Sequence, residues 1–207
     1  MELLERLDYN VSRGVKSNVV ISGISCSGKS TLANAIYKRY KTNPYREIVS
    51  IIPQDEYFKD LNQIPWSRVG YLMDSMDAFC VDEYFHDILF LLQYDAVRIP
   101  QYDIANNRRT SQRKHIWNND INVFEGLHTL HILKSIPNTI KVYVDTNANT
   151  CLQRRIERDT SKYGVPKERI IEYWNECIIP LSEKYILPQK ALADIIIIGE
   201  GSDSNGS

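Results

Sequence analysis

The sequence has little that would direct the chain to a membrane, to nucleic acid or to export. No apolar run approaches the roughly 20 residues that a transmembrane helix needs, and the N-terminus lacks the apolar core and cleavage site of a signal peptide. The formal net charge is only -1, so no broad field attracts nucleic acid or an anionic membrane. We therefore expect a soluble, cytoplasmic protein with local anion binding and with neither a nucleic-acid nor a membrane partner.

Cysteine is also scarce. The sequence contains four cysteines and no C-x-x-C pair, and cytosolic cysteines stay reduced. We expect free thiols at Cys26, Cys80, Cys151 and Cys177.

Short β-branched runs alternate along the chain with longer amphipathic segments. This order predicts an α/β fold with a parallel sheet that is buried on both faces. Strands are predicted at 19–22, 48–52, 121–124, 140–144 and 195–198, and helices at 29–40, 78–94, 149–160 and 166–185. The stretch 96–117, with a polar turn at its centre, predicts a projecting β-hairpin. Residues 1–198 are expected to form one domain and 199–207 a flexible tail.

The most specific motif is the P-loop Gly-Ile-Ser-Cys-Ser-Gly-Lys-Ser, which starts at Gly23 and lies between a predicted strand and a predicted helix. In this motif, successive backbone N–H groups point at the phosphates, and the N-terminus of the helix adds its positive dipole end. Lys29 supplies a positive charge and Ser30 a hydroxyl for Mg²⁺. The motif predicts ATP and Mg²⁺ as cofactors, and the nucleotide is expected on Gly23, Ser25, Cys26, Ser27, Gly28, Lys29, Ser30 and Thr31.

Two acidic residues follow predicted strands at the edge where ligands bind in open α/β sheets. Asp55 could accept a proton from an attacking hydroxyl or help to hold Mg²⁺, although an Asp here could also cap the next turn. Glu125 stands where a P-loop fold carries the Walker B acid, with a solvated strand-end Glu as the alternative.

Three arginines and a histidine pair complete the candidate groups. Arg154 and Arg158 share one face of the helix predicted at 149–160, and Arg155 is offset by about 100 degrees. They could grip phosphates from a mobile lid at about 149–166, or form an exposed salt-bridged helix with neighbouring acids. The pair His128 and His131 lacks a third ligand for zinc, so packing or surface positions are the preferred interpretation.

Taken together, the motifs resemble those of the uridine-cytidine kinases, within a wider group that holds nicotinamide riboside kinases, phosphoribulokinases and bacterial-type pantothenate kinases. The resemblance runs from about Val19 to Ile198. It implies a three-layer P-loop NTPase fold with a mostly parallel five-stranded sheet, a substrate-side β-hairpin and a helical lid. It also implies phosphorylation of the 5′-hydroxyl of a nucleoside such as uridine or cytidine, and tetramers in that family make a homo-oligomer an option.

The resemblance also implies roles for single residues. Asp55 would be the catalytic base, Lys29, Arg155 and Arg158 would act on the phosphates, and Ser30 and Glu125 would hold the metal. Asp74, in Asp-Ser-Met-Asp-Ala-Phe, stands for the first Asp of the family's Asp-His-Pro-Asp-Ala-Phe, which holds the ribose hydroxyls. The substrate-binding set would be Asp55, Phe58, Asp74, Tyr102, Asn107 and Arg109.

Departures from the family pattern cluster on the substrate side. Tyr-Gly-Val-Pro at 163–166 replaces Arg-Gly-Arg-Asp, and Asn107, Tyr173, Phe58 and Met73 stand for His, Gln, Tyr and Phe. Losing polar contacts of this kind changes selectivity by orders of magnitude. Kinases of another alcohol, such as nicotinamide riboside or pantothenate, therefore stay open, as does a degenerate kinase that serves as a nucleotide-binding interaction module. A GTPase switch is disfavoured because no D-x-x-G directly follows the strand predicted at 121–124 and the sequence has no N-K-x-D motif.

Overall fold

Five parallel strands form the central sheet of the computed structural model, which describes residues 2–41 and 47–199. The strands are β1 (Ser17–Ser22), β2 (Val49–Pro53), β3 (Trp66–Ser67), β4 (Gly70–Tyr71), β5 (Ala96–Asp103), β6 (Arg108–Trp117), β7 (Ile121–Glu125), β8 (Thr139–Asp145) and β9 (Ile195–Ile198). The central sheet has the order β2-β7-β1-β8-β9, so the α/β prediction is confirmed. Most of the tail predicted at 199–207 lies outside the described residues.

Helices cover the sheet and connect its strands. They are α1 (Leu3–Ser12), α2 (Lys29–Tyr40), α3 (Val81–Gln93), α4 (Thr129–Ile132), α5 (Ala148–Tyr163), α6 (Lys167–Tyr173) and α7 (Ile179–Leu181). The N-terminal helix α1 starts with a capping box formed by Glu2 and Glu5. None of the helices in the described ranges is long and apolar enough to cross a bilayer.

Two hydrophobic clusters pack against opposite faces of the sheet. Val20 and Phe124 belong to one cluster, whereas Val19, Ile21 and Val123 belong to the other. This division follows from strand geometry, because consecutive side chains point to opposite faces. All these residues are buried, which explains why the strands are continuous apolar runs.

The helix predicted at 166–185 is interrupted in the structure. Between α6 and the end of the region, π-helical turns occupy Trp174–Ile178 and Ser182–Ile186, and a 3-10 turn follows at Leu187–Leu192. Pro180 lies between the two π-helical turns and supplies no N–H to the helical ladder. The helix predicted at 78–94 begins only at Val81, because Met76–Ala78 forms a separate 3-10 turn.

Parallel pairing brings the predicted functional segments to one edge of the sheet. Glu125 at the end of β7 is in register with Ile21 on β1 and Pro53 on β2. The P-loop follows β1 and Gln54 and Asp55 follow β2, so these segments and Glu125 surround the same carboxyl edge. The antiparallel hairpin β5–β6 contacts the turn after β2, where the Tyr102 amide donates to Glu56 Oε2 at 2.8 Å.

Candidate active site

The P-loop is a tight turn whose shape depends on glycine. Gly23 has φ 156°, and a Cβ atom there would lie 2.5 Å from the carbonyl oxygen of Val144 and 2.7 Å from Ser27 Oγ. Gly28 has φ 106° and leads directly into α2. Cys26 is a non-glycine residue at φ 62°. These conformations curl the backbone into an anion-binding turn that ends at a helix N-terminus, which is the geometry required to bind phosphates.

The charged and hydroxyl groups of the P-loop face the end of β7. The Lys29 ammonium donates to the Ile24 carbonyl at 2.8 Å, and Ser30 Oγ donates to Glu125 Oε1 at 2.9 Å. Lys29 and Glu125 are buried, whereas Thr31 is exposed at the start of α2. A hydroxyl beside a carboxylate provides the hard oxygen ligands that Mg²⁺ prefers, so Ser30 and Glu125 fit that ion.

Asp55 lies in the cleft among groups from both sides of the site. Burial and the charge of Glu125 raise its pKa to about 7, while Lys29 opposes the rise. The side chain is nevertheless exposed in the cleft. In the molecule without substrate, water can still solvate the Asp55 carboxylate, so this exposure limits the rise of its pKa. We expect the full rise only when a bound acceptor displaces that water.

Asp74 is a buried carboxylate at the acceptor side of the cleft. The residue is 4% exposed, and its Oδ2 atom has no hydrogen-bond partner within residues 2–41 and 47–199. Its Oδ1 atom lies 3.7 Å from a terminal nitrogen of Arg155. A buried carboxylate oxygen without a donor is costly, so this atom is suited to accept a hydrogen bond from a ligand.

Arg155 on α5 connects the P-loop with the acceptor side. Besides Asp74, it donates to Ser25 Oγ at 3.0 Å and pairs with Asp159 at 3.2 Å. Arg158 is more exposed and donates to Asp159 at 2.7 Å. Arg154, which the sequence left without an individual role, lies 3.4 Å from the Cys26 carbonyl oxygen. The helix thus places Arg154 and Arg155 in contact with the loop that would carry the phosphates, and Arg158 lies one turn after Arg154 on the same helix.

The hairpin contributes residues in two different ways. Tyr102 is buried, packs 5.3 Å from the Phe58 ring, and has a hydroxyl without a hydrogen-bond partner among the described residues. Arg109 instead braces the hairpin, because its guanidinium pairs with Glu83 at 2.6 Å and donates to Cys80 Sγ at 2.9 Å. These interactions engage both terminal nitrogens of the Arg109 guanidinium, which has five N–H donors in all.

A cavity of about 480 Å³ opens beside Arg155. Of the substrate-binding residues predicted from the sequence, only Asn107 lines it. Tyr102 and Arg109 line a separate cavity of about 710 Å³ at the hairpin. The remaining polar and aromatic residues of the smaller cavity are Tyr71, Arg155, Asp159, Arg169 and Tyr173.

Sequence reasoning missed Arg169 entirely and considered His128 only as a packing or surface residue. Arg169 lies on α6 and lines the smaller cavity, and His128 is completely buried next to Asp74. The tyrosine at 173 binds the backbone of the Asp74 segment, through Tyr71 and Met73. A helix-phase analysis of α6 could have indicated Arg169, but no local signal reveals contacts between residues about 100 positions apart.

Comparisons with known proteins agree with this geometry. Residues 19–203 match the phosphoribulokinase / uridine kinase family. A uridine kinase from Bacillus pumilus is 33% identical over 182 residues, which are 86% of this chain and 83% of the relative.

Solved structures show the same fold. A candidate fructose transport system kinase from Silicibacter sp. TM1040 has a TM-score of 0.69 at 16% identity and covers 95% of this chain and 99% of its own. Phosphoribulokinase from Rhodobacter spheroides has a TM-score of 0.61 at 15% identity, covering 88% of this chain and 70% of its own. The chain therefore belongs to the phosphoribulokinase / uridine kinase family, as an ATP-dependent small-molecule kinase with a P-loop fold.

Proposed function

We propose that this kinase transfers the γ-phosphoryl group of Mg·ATP to the 5′-hydroxyl of a pyrimidine ribonucleoside, uridine or cytidine. The observation that carries the proposal is the position of Asp55. Its carboxylate lies within electrostatic reach of Lys29 and Glu125 on the donor side, of Asp74 on the acceptor side, and of Arg158 on α5. We choose uridine or cytidine as the acceptor because the relatives include uridine kinases.

On the donor side, the P-loop backbone and Lys29 bind the triphosphate. Ser30 and Glu125 are the residues that would hold Mg²⁺, which neutralises phosphate charge and orients the γ-phosphoryl group when bound. Ser30 and Glu125 are already joined by a hydrogen bond, so this oxygen pair is organised before the nucleotide arrives.

On the acceptor side, Asp55 accepts the proton of the attacking hydroxyl. The hydroxyl oxygen forms the new O–P bond, the bond to the β-phosphate oxygen breaks, and ADP leaves. A carboxylate with a raised pKa is a better proton acceptor near neutral pH than an unperturbed one. Asp74 accepts hydrogen bonds from the ribose hydroxyls, and the arginines of α5 neutralise the transferring group.

Phosphorylation of another alcohol, such as nicotinamide riboside or pantothenate, is the second candidate. The observation that favours it is the state of Tyr173, whose hydroxyl donates to the Tyr71 carbonyl at 2.5 Å and accepts from the Met73 amide at 3.2 Å. With its hydroxyl bound in this way, Tyr173 offers its aromatic ring and no free hydroxyl to the cavity that it lines. The hydrogen bonds that select a pyrimidine base are therefore fewer at this wall.

An acceptor screen with product mass measured tests the proposal. The purified chain is incubated with Mg·ATP and, separately, uridine, cytidine, nicotinamide riboside or pantothenate. We expect a nucleoside monophosphate from uridine or cytidine, with kcat/KM at least about tenfold above the other acceptors. A preference for a different alcohol would replace the substrate assignment. ATP binding without transfer to any acceptor would favour the degenerate kinase instead.

A further inference from the structure

His128 is a buried histidine directly after the segment Glu-Gly-Leu at 125–127. Its side chain is fully buried, with the Phe79 ring centroid at 5.7 Å and the Tyr185 ring centroid at 6.2 Å. Burial lowers its pKa to about 4, so the imidazole is neutral at physiological pH. A neutral imidazole carries one N–H donor, and its position is set by the partner that needs it.

The N–H donor of His128 is directed at the backbone of Asp74, the residue proposed to bind the acceptor hydroxyls. His128 Nε2 lies 3.0 Å from the carbonyl oxygen of Asp74. Because a carbonyl only accepts, Nε2 carries the proton and donates it. Nδ1 has no hydrogen-bond partner in the part of the chain that the structure describes. The neutral ring therefore makes one specific hydrogen bond, to the segment that presents the Asp74 carboxylate.

The backbone of His128 reaches the other acidic segment. Its N–H donates to Gln54 Oε1 at 2.9 Å, and Gln54 immediately precedes Asp55. Gly126 is so close to the Gln54 side chain that a Cβ atom at position 126 would collide with it. One short segment thus carries Glu125, contacts the residue before Asp55, and donates to Asp74.

We propose that His128 is a positioning residue for acceptor phosphorylation. Its Nε2–H donor holds the Asp74 segment in a fixed position relative to Asp55. The inference rests on the proposed function in assigning the acceptor hydroxyls to Asp74. A positioning role differs from that of an ordinary core residue, because packing requires only the volume of the imidazole ring. Positioning requires a donor at the place of Nε2.

Two substitutions separate the donor from the volume. His128→Leu fills the buried space without a donor and leaves the Asp74 carbonyl without this hydrogen bond. His128→Gln restores an N–H at a comparable distance from the backbone. The control is His131→Leu, since His131 is a histidine of the same short segment whose side chain is exposed.

Steady-state kinetics with uridine and ATP, together with thermal unfolding, test the assignment in the full chain. We expect His128→Leu to raise the KM for uridine about tenfold, the size expected for an unsatisfied buried acceptor that lets its segment shift. The KM for ATP should change by less than about twofold, because the P-loop contacts are elsewhere. His128→Gln should recover most of the uridine KM, and His131→Leu should match the wild type.

Amide hydrogen exchange of residues 72–78, measured without ligand, tests the positioning directly. Ser75 and Ala78 donate to Leu72 and Ser75 carbonyls within this segment, so their amides report its order. We expect faster exchange in His128→Leu, and restoration in His128→Gln. Equal losses in the Leu and Gln variants, or wild-type exchange and KM in the Leu variant, would overturn the inference. If the wild type does not phosphorylate uridine, the proposed function fails, while the exchange measurement still decides the role of His128.

Discussion

The donor side of the cleft is formed mainly by backbone groups, whereas the acceptor side is formed by side chains. The donor side is mainly one continuous segment, from Gly23 to Ser30, whose shape depends on glycine conformations and backbone contacts, and β7 adds Glu125 to it. The acceptor side is assembled from side chains on the turn after β2, the Asp74 segment, the hairpin tip, α5 and α6. A backbone site depends on local residue spacing, whereas a side-chain site depends on which distant elements meet.

Asp55 interacts electrostatically with charged groups of both sides, so its substitution tests whether the two sides work as one site. Asp55→Asn removes the proton acceptor, and we expect kcat to fall by about 10²–10⁴-fold, the range for a lost general base. Binding of a non-hydrolysable ATP analogue, measured by calorimetry, should stay within about threefold of the wild type, because the P-loop is unchanged. The exposed Asp82, in the first turn of α3, provides the control Asp82→Asn. Unchanged turnover in Asp55→Asn would contradict the role as base.

Gly23→Ala tests the claim that the donor side is built from backbone. The new Cβ would meet the Val144 carbonyl oxygen at 2.5 Å in a backbone conformation that L residues rarely adopt. Strain and overpacking cost about 1–3 kcal/mol each, so we expect ATP affinity to fall by at least about tenfold.

Gly14→Ala is the matched control for the glycine substitution. Gly14 also has a positive φ, 66°, but a Cβ atom there would meet nothing within 4 Å. Its variant should lose some stability and retain wild-type ATP affinity, measured by the same calorimetry. If Gly23→Ala binds ATP as the wild type does, the P-loop tolerates a shift and the backbone argument is wrong.

The pH dependence of turnover tests the environment of Asp55. The base acts as the carboxylate, and its pKa is raised, so activity is present above the pKa and is lost as pH falls through it. Since kcat reports the substrate complex and kcat/KM the free enzyme, we expect kcat to fall about tenfold per pH unit below about 7. The inflection in kcat/KM should lie at lower pH, because water reaches Asp55 in the open cleft. Coincident inflections in the two profiles would contradict this difference in solvation.

Local patterns predicted the fold and the position of the P-loop well. The helix at 29–40 and the strand at 195–198 have the predicted ends, and the P-loop follows β1 as its spacing requires. The five parallel strands follow from apolar runs whose alternate residues pack on opposite faces. All these features depend on residues that are close in sequence, which is why periodicity and motif spacing reveal them.

The acceptor site was predictable only in part. The resemblance indicated Asp74, and the structure adds its buried, unpartnered oxygen and its proximity to Arg155. The resemblance did not indicate that Arg109 would pair with Glu83, or that Arg169 would line the smaller cavity. These pairings depend on how α3, α6 and the hairpin pack together, and no short-range pattern encodes that arrangement.

Tyr173→Phe tests the long-range part of the acceptor site with the smallest change. The substitution removes the hydroxyl that joins the Tyr71 carbonyl and the Met73 amide, and it keeps the ring that lines the cavity. Hydrogen bonds of this kind contribute about 0.5–1.5 kcal/mol, so we expect the acceptor KM to rise about threefold to tenfold, with kcat and the KM for ATP nearly unchanged. Tyr163→Phe is the control, because Tyr163 is exposed at the end of α5. An equal change in the KM for ATP and in the KM for the acceptor would mean that the two sides are not separable. The loss of a hydrogen bond on the Asp74 segment would then affect the P-loop as well. Arg155 would be the residue that transmits this effect, because it contacts both Ser25 and Asp74.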